Sequence, residues 1–104
     1  MTATQRPRAL TATEIVTRLS NDAPGWKLSG DGDETGIEKS YAFANYHETM
    51  AFVNAVAFIA HGMDHHPDLS VHYNRCVVRY RTHDAKGITE LDFEAAARVE
   101  ALLA

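Results

Sequence analysis

The pattern of apolar and polar residues predicts a short helix near the start of the chain. Thr11 and Glu14 have the spacing of a capping box, in which each side chain satisfies a free backbone amide at the helix start. Ile15, Val16 and Leu19 then place one apolar stripe on the helix that follows. Residues 21–25 contain a proline and a glycine, which predict the end of this helix.

An acidic turn between two apolar segments predicts a β-hairpin. Residues 26–29 form a brief strand, and residues 37–44 alternate, with Ile37, Tyr41 and Phe43 on one face. The connecting residues 30–36 are small or acidic, which is typical of a turn. The turn is slightly similar to a calcium loop, but it is too short and lacks the terminal bidentate glutamate. A calcium site is therefore disfavoured.

A second helix, expected over residues 46–62, carries the widest apolar face of the chain. Asn45 followed by Glu48 is a capping signature, and Gly62 is expected to end the helix. The apolar residues at helical spacing are Phe52, Val53, Val56, Ile59, Ala60 and Met63. Alanines at positions 51, 55 and 57 would let another element approach closely. Because this apolar surface exceeds what one small sheet should cover, we expect the protein to form oligomers.

Two more strands and a last helix complete the pattern. The expected strands turn near Asn74, and the second ends at His83. Their alternating apolar residues are Leu69, Val71 and Tyr73 in the first, and Cys76, Val78 and Tyr80 in the second. Thr89 is the expected cap of the last helix, with Asp92 three residues later as its capping carboxylate. The side chains expected to be buried on this helix are Leu91, Ala95, Val99 and Leu102.

The order helix, two strands, helix, two strands, helix predicts an α+β fold with three helices on one face of a four-stranded sheet. A chain of 104 residues is long enough for one core, so residues 11–104 are expected to form a single domain. Residues 1–10 are polar and without periodicity, and we expect a flexible leader there.

Composition and charge exclude several classes of function. The net charge of −4 argues against a nucleic-acid partner, which requires a basic surface. The longest apolar run, residues 55–60, is too short to span a membrane, and no secretory signal is evident. Cys76 is the only cysteine, which excludes an intrachain disulfide and a thiolate zinc cluster. We therefore expect a cytoplasmic protein.

The candidate chemistry is concentrated in an adjacent histidine pair and a third histidine downstream. Pro67 disfavours the helical conformation for His66, so this segment should be extended. Neighbouring side chains then point in opposite directions, so His65 and His66 should have different tasks. One of the two side chains can face a ligand while the other is held in place by the protein. His83 lies seventeen residues after His66, at the expected end of the second of the two strands that follow.

Two other interpretations of these residues remain open. A single histidine in a loop usually has no function, and Asp92 is already explained as a helix cap. A zinc site could draw on histidine and carboxylate ligands, although the spacings match no standard motif. The candidate ligands are His61, His65, His66, His83, Asp64 and Asp92. His61 and His65 have the spacing of two ligands on one helix face, but Gly62 is expected to end the helix between them.

The segment from residue 37 onwards resembles the pterin-4a-carbinolamine dehydratases, also known as dimerisation cofactors of a homeodomain transcription factor. A His-His-Pro motif alone would be weak evidence, but the downstream motifs lie at the right distance without a gap. The residues that carry the resemblance are Asp64-His65-His66-Pro67, Tyr73-Asn74-Arg75, Thr82-His83-Asp84, Gly87, Thr89-Glu90 and Asp92.

The resemblance implies both a fold and an activity. The fold is a four-stranded antiparallel sheet with three helices on one side, in dimers that extend the sheet and often in tetramers built on helices. The activity is dehydration of 4a-hydroxytetrahydropterin to quinonoid dihydropterin, which recycles the cofactor of an aromatic amino acid hydroxylase. Because the pterin is the substrate, the reaction needs no metal and no further cofactor.

The resemblance also implies roles for individual residues. His65 and His83 correspond to an acid/base pair, and His66 to the residue that orients the substrate. Histidine suits such a role because its ordinary pKa of about 6.5 lets it accept or donate a proton near neutrality. The remaining site residues support the histidines or the substrate: Asp64, Pro67, Thr82 and Asp92.

The chain departs from the family pattern at His61, Leu69 and Leu91, where an acidic residue, an aromatic residue and an arginine are often found. These changes affect the charge and packing expected around the pocket. A non-catalytic dimerisation or assembly module of the same fold is the alternative function. The enzyme is favoured because modules of that kind tend to lose the histidines, which this chain retains.

Overall fold

The computed structural model describes residues 7–104 and confirms the predicted order of elements. Three helices and four strands alternate as expected, and short 3-10 turns cover Gly32–Glu34 and His83–Ala85. The helices and strands are α1 (Ala12–Asp22), β1 (Lys27–Ser29), β2 (Gly36–Ala42), α2 (Tyr46–Met63), β3 (Asp68–Val71), β4 (Arg75–Tyr80) and α3 (Glu90–Ala101).

The four strands form one antiparallel sheet in the order β1-β2-β4-β3. Ile37 pairs with Tyr80, and Leu69 pairs with Val78, so these side chains share one face of the sheet. That face packs in a single buried cluster with Val56 of α2. The helices of the described chain therefore cover one face, and the α+β fold class is confirmed.

The second helix ends one residue later than the sequence pattern suggested. It runs through Gly62 to Met63, and Asp64 then adopts a left-handed conformation with φ of 50°. The Asp64 amide donates to the His61 carbonyl at 3.2 Å, and the His65 amide donates to the Ala60 carbonyl at 3.1 Å. This is the hydrogen-bond pattern of a Schellman motif, with aspartate where glycine is usual. The helix is ended by Asp64, not by Gly62.

Several details of burial and strand length also differ from expectation. Leu102 is 39% exposed, so its predicted burial is wrong, and Val16 of the predicted apolar stripe is 60% exposed. Tyr73 lies beyond the end of β3 and is exposed. Phe93 is buried although the helical pattern did not single it out. Helix periodicity indicates which residues share a face, but the neighbouring elements decide how wide the covered stripe is.

The last long strand stops at Tyr80 instead of continuing to His83. Thr82 forms an isolated bridge with Gly87, and its amide donates to the Gly87 carbonyl at 2.8 Å. The chain then turns through the 3-10 segment that contains His83. This early turn directs Thr82 toward α3 and leaves His83 at the surface.

We predicted a flexible leader over residues 1–10, and residues 1–6 of this segment lie outside the described residues. Within the described part, the Leu10 amide donates to the Ile88 carbonyl at 2.8 Å, and Arg8 forms an ion pair with Glu14 at 2.7 Å. Among residues 7–104, no helix has the length and apolar character needed to cross a bilayer.

Candidate active site

A fully buried carboxylate at the start of α3 organises the candidate site. Asp92 has no exposed surface, and both of its oxygens accept hydrogen bonds. Oδ2 accepts from the Thr89 amide and from the Thr82 hydroxyl, each at 2.9 Å, and Oδ1 lies 2.6 Å from His65 Nε2. The capping contact expected from the sequence is therefore present, and the same side chain also holds a histidine. The structural and functional interpretations of Asp92 are compatible.

The His65 ring is held from two directions. The Schellman motif at the end of α2 brings His65 back toward the core, where it is only 8% exposed. Its ring stacks on Tyr80 with centroids 5.5 Å apart and planes inclined by 14°. A carboxylate can only accept, so the hydrogen in the contact with Asp92 belongs to Nε2. In the neutral ring, Nδ1 is left with a lone pair that can accept a proton.

Tyr80 is part of the site although the sequence did not indicate it as a functional residue. Its hydroxyl is buried and has no hydrogen-bond partner among residues 7–104. Burial raises the pKa of Tyr80 to about 12, and the nearby charge of Asp92 adds to this effect. The alternation of β4 predicted that Tyr80 faces the core, but only the packing shows which ring it meets.

Three predicted site residues flank His65 in the chain but form no hydrogen bond with its ring in the described chain: Asp64, His66 and Pro67. His66 is exposed while His65 is buried, as expected for neighbours in an extended segment. Asp64 is exposed and serves as the left-handed residue that ends α2. Pro67 is half-buried immediately before β3. The structure therefore places these predicted site residues beside the buried network, with His66 at the surface.

His83 is exposed and makes its hydrogen bond with an arginine. Nη2 of Arg81 donates to Nδ1 of His83 over 3.0 Å. The preceding residue, Thr82, belongs to the Asp92 network, so His83 is one residue away from it along the chain. Of the seven predicted site residues, His65, Thr82 and Asp92 meet directly. No hydrogen bond joins any two of His65, His66 and His83 in the part of the chain that the structure describes.

The acidic turn before β2 is bound by two arginines of the outer sheet face. Arg79 donates to the Ser29 hydroxyl at 2.8 Å and also reaches the Glu34 carbonyl. Arg81 pairs with the Glu34 carboxylate at 3.0 Å and donates to the Asp33 carbonyl at 3.3 Å. The Asp33 and Glu34 carbonyls and the Glu34 carboxylate are thus bound by guanidinium groups. The sequence predicted the turn itself but gave no indication of its two arginine partners.

The residues considered for zinc do not assemble into a ligand set within residues 7–104. No group of three or more histidine, cysteine or acidic side chains is arranged there to hold a metal. The side chains at the three departures from the family pattern are differently placed: His61 is exposed, while Leu69 and Leu91 are half-buried.

Together, the fold and the site define an α+β protein in which helices cover one face of an antiparallel sheet and a buried histidine–aspartate pair links the end of α2 to the start of α3. The profile of the family described as "Pterin 4 alpha carbinolamine dehydratase" matches residues 8–102. The chain belongs to this family, as its histidine motifs predicted.

Two bacterial relatives show how similar the chain is to other members. A protein of Paracidovorax citrulli is 69% identical over 97 residues, which cover 93% of this chain and 83% of that protein. A protein of Chromobacterium violaceum is 55% identical over 91 residues, which cover 88% of this chain and 81% of that protein. Both carry the name "Putative pterin-4-alpha-carbinolamine dehydratase". The chain is thus related to proteins named for a lyase reaction on a pterin.

Solved structures confirm the fold. The transcriptional coactivator/pterin dehydratase from Brucella melitensis has a TM-score of 0.84 and 30% identity, covering 93% of this chain and all of that chain. A pterin dehydratase-like protein identified as a RuBisCO assembly factor in the alpha-carboxysome has a TM-score of 0.65 and 24% identity, covering 79% of this chain and 93% of that chain. The second likeness concerns the fold alone.

Proposed function

We propose that this protein removes water from 4a-hydroxytetrahydropterin to give quinonoid dihydropterin. The observation that carries the proposal is the buried pair of His65 and Asp92, joined over 2.6 Å within a chain of the carbinolamine dehydratase family. An imidazole fixed by a buried carboxylate and stacked on Tyr80 is oriented for proton transfer. Its free nitrogen, Nδ1, is the one available to a substrate.

The chemistry requires one group that accepts a proton and one that donates a hydrogen. The carbinolamine loses the hydrogen of N5 and the hydroxyl of C4a, which leave together as water. We assign His65 and His83 as the acid/base pair and His66 as the residue that orients the pterin. Asp92 and Thr82 support His65, while Asp64 and Pro67 shape the turn that precedes β3. Positioned proton transfer contributes about 10² to 10⁴ in rate.

The product supports a role in recycling the pterin cofactor of an aromatic amino acid hydroxylase, because reduction of quinonoid dihydropterin regenerates tetrahydropterin. The proposed reaction needs no metal or redox cofactor, since only protons and a hydroxyl group move. We expect a homodimer or homotetramer, since α2 leaves Phe58 and Tyr46 exposed beside its alanines. The single cysteine, Cys76, suits a reducing compartment such as the cytoplasm.

The test is the rate of quinonoid dihydropterin formation from freshly prepared 4a-carbinolamine, followed by ultraviolet absorbance. The wild-type protein should accelerate this reaction, and the His65→Ala, His83→Ala double variant should not. Circular dichroism of the variant must show an intact fold for the comparison to count. If the folded wild-type protein leaves the spontaneous rate unchanged, the proposed activity is wrong.

The alternative, a non-catalytic assembly module, is supported by the Brucella melitensis structure, whose description joins a transcriptional coactivator to a pterin dehydratase. This function predicts a stable complex with a defined protein partner and no binding of pterin. Titration of the purified protein with tetrahydropterin, monitored by calorimetry, separates the two functions. Binding of pterin at the histidine site would favour the enzyme.

A further inference from the structure

Arg81 joins the acidic turn to the candidate active site. Its side chain is 17% exposed, and its guanidinium contacts three acceptors. They are the Glu34 carboxylate at 3.0 Å, the Asp33 carbonyl at 3.3 Å and Nδ1 of His83 at 3.0 Å. The first two contacts fix the guanidinium, so that the third can orient the imidazole. The sequence resemblance assigns no role to this arginine.

The contact with Arg81 determines where His83 carries its hydrogen. A guanidinium has five donors and no acceptor, so Nδ1 of His83 must be the acceptor in this hydrogen bond. The single hydrogen of the neutral ring is then on Nε2. Of the two tautomers of the neutral ring, Arg81 therefore selects the one with an Nε2–H group.

His65 is held in the complementary arrangement. Its Nε2–H donates to Asp92, so its remaining nitrogen, Nδ1, is an acceptor. The two imidazoles thus present opposite functions: His65 offers a lone pair, and His83 offers a hydrogen. An arginine beside one ring and an aspartate beside the other produce this difference.

We propose that Arg81 is a positioning residue that makes His83 a hydrogen-bond donor to the leaving hydroxyl and thereby leaves proton transfer to His65. The inference rests on the dehydratase function proposed above. It divides the tasks within the acid/base pair, which the sequence treats as equivalent. His83 stabilises the charge that develops on the departing oxygen, since a neutral imidazole cannot readily give up its only hydrogen.

The proton balance closes with one relaying histidine. The N5–H bond breaks, and its proton moves to Nδ1 of His65. The electron pair left on N5 forms the double bond to C4a, while the C4a–O bond breaks and its electron pair leaves with the oxygen. His65 then gives the proton to this hydroxide, which departs as water, and the ring returns to its neutral form. Because N5 and C4a are bonded neighbours, one imidazole can serve both positions.

Nitrogen NMR of the histidine side chains tests the tautomer directly and does not depend on activity. In protein labelled at histidine, the resonance of His83 is assigned by its loss in His83→Gln. The wild-type spectrum should show a hydrogen on Nε2 and an unprotonated, hydrogen-bonded Nδ1. In Arg81→Met the Nδ1 shift should move to that of a free acceptor. A hydrogen on Nδ1 in the wild-type protein would overturn the proposal.

Arg79→Met is the matched control for this measurement. Arg79 also holds the acidic turn, through Ser29 and the Glu34 carbonyl, but it makes no hydrogen bond to His83 in the described chain. The control therefore loosens the turn without removing the imidazole contact, and the His83 spectrum should stay as in the wild type. If both arginine variants change the spectrum equally, the effect comes from the turn, and the proposal is wrong.

Kinetics test the role assigned to His83. Glutamine places an amide N–H near the position of Nε2 but cannot relay a proton, so His83→Gln should retain more kcat than His83→Ala. Partners that orient metal-bound imidazoles contribute about 10- to 100-fold to activity, and by analogy Arg81→Met should lose about that amount in kcat with little change in KM. Equal kcat in the Gln and Ala variants would refute the donor role.

The two levels of the proposal fail in different ways. Lack of acceleration by the folded wild-type protein would refute the dehydratase function and, with it, the role of His83 in that reaction. Normal acceleration with Nδ1 protonated in His83 would instead refute the Arg81 proposal and leave the dehydratase function intact.

Discussion

Replacing Asp92 by asparagine should reverse the proton arrangement of His65 while preserving the shape of the site. Asp92 is fully buried, and its Oδ2 accepts from the Thr89 amide, which can only donate. The asparagine oxygen must therefore stay with Thr89, and its NH₂ group must face His65. Nε2 of His65 would then have to accept, which moves the ring hydrogen to Nδ1. The nitrogen available to the substrate would become a donor.

The expected loss of activity follows from this reversed tautomer. Positioned proton transfer contributes about 10² to 10⁴ in rate, and a histidine held in the wrong tautomer forfeits most of it. We therefore expect Asp92→Asn to reduce kcat by about 10² or more. The free energy of unfolding should fall by about 1–3 kcal/mol, because charged hydrogen bonds become neutral. The loss stays in this range because the asparagine oxygen still caps α3.

The assay combines ultraviolet detection of quinonoid dihydropterin with urea unfolding of the same variant. Glu94→Gln is a suitable control, because it neutralises a carboxylate on the same helix that is exposed and paired with Arg98. The control should keep the wild-type kcat. A folded Asp92→Asn protein with unchanged kcat would show that the carboxylate does not set the tautomer of His65.

Three further predictions concern stability. Burial alone would raise the pKa of Glu100, but hydrogen bonds from Lys39 and Tyr41 outweigh it and leave that pKa lowered. The Glu100 carboxylate therefore stabilises the fold at pH values above its ordinary pKa of 4.5, and this contribution is lost as the pH falls below that value. Urea unfolding at pH 7 and at pH 3.5 should therefore show that Glu100→Gln loses less unfolding free energy on acidification than the wild type. An equal loss in the two proteins would contradict this. Tyr80→Phe removes a buried hydroxyl that has no partner in the described residues, while the aromatic ring stays stacked on His65. Thermal unfolding of this variant should show a stability equal to that of the wild type or about 1 kcal/mol higher. A clear decrease would mean that the hydroxyl has a hydrogen-bond partner. Asp64→Val places a β-branched residue at φ of 50°, so chemical denaturation should show a free energy of unfolding lower by about 1–3 kcal/mol. Asp64→Gly should show no decrease, because glycine adopts this conformation without strain. Equal decreases in the two variants would show that the left-handed conformation is not the cause.

Local patterns in the sequence were sufficient for the order of elements and for the difference in burial between the two adjacent histidines. The capping signatures at Thr11, Asn45 and Thr89 marked the starts of all three helices, because capping depends on side chains within a few residues. The alternation of β4 likewise identified its buried face, since strand periodicity is a property of the local backbone. The extended segment before Pro67 separated the environments of His65 and His66 for the same reason.

Tertiary structure decided what local patterns could not express. Contacts between distant segments bring His65 to Asp92, 27 residues away in the chain, and place Tyr80 under the imidazole. They also connect Arg81 to Glu34, which lies 47 residues earlier in the chain, and so link the acidic turn to His83. Helix periodicity equally failed to show that Val16 is exposed. The sequence by itself determined which residues are chemically available, whereas packing determined their partners and the position of each ring hydrogen, because hydrogen bonding acts over a few ångströms in space without regard to separation along the chain.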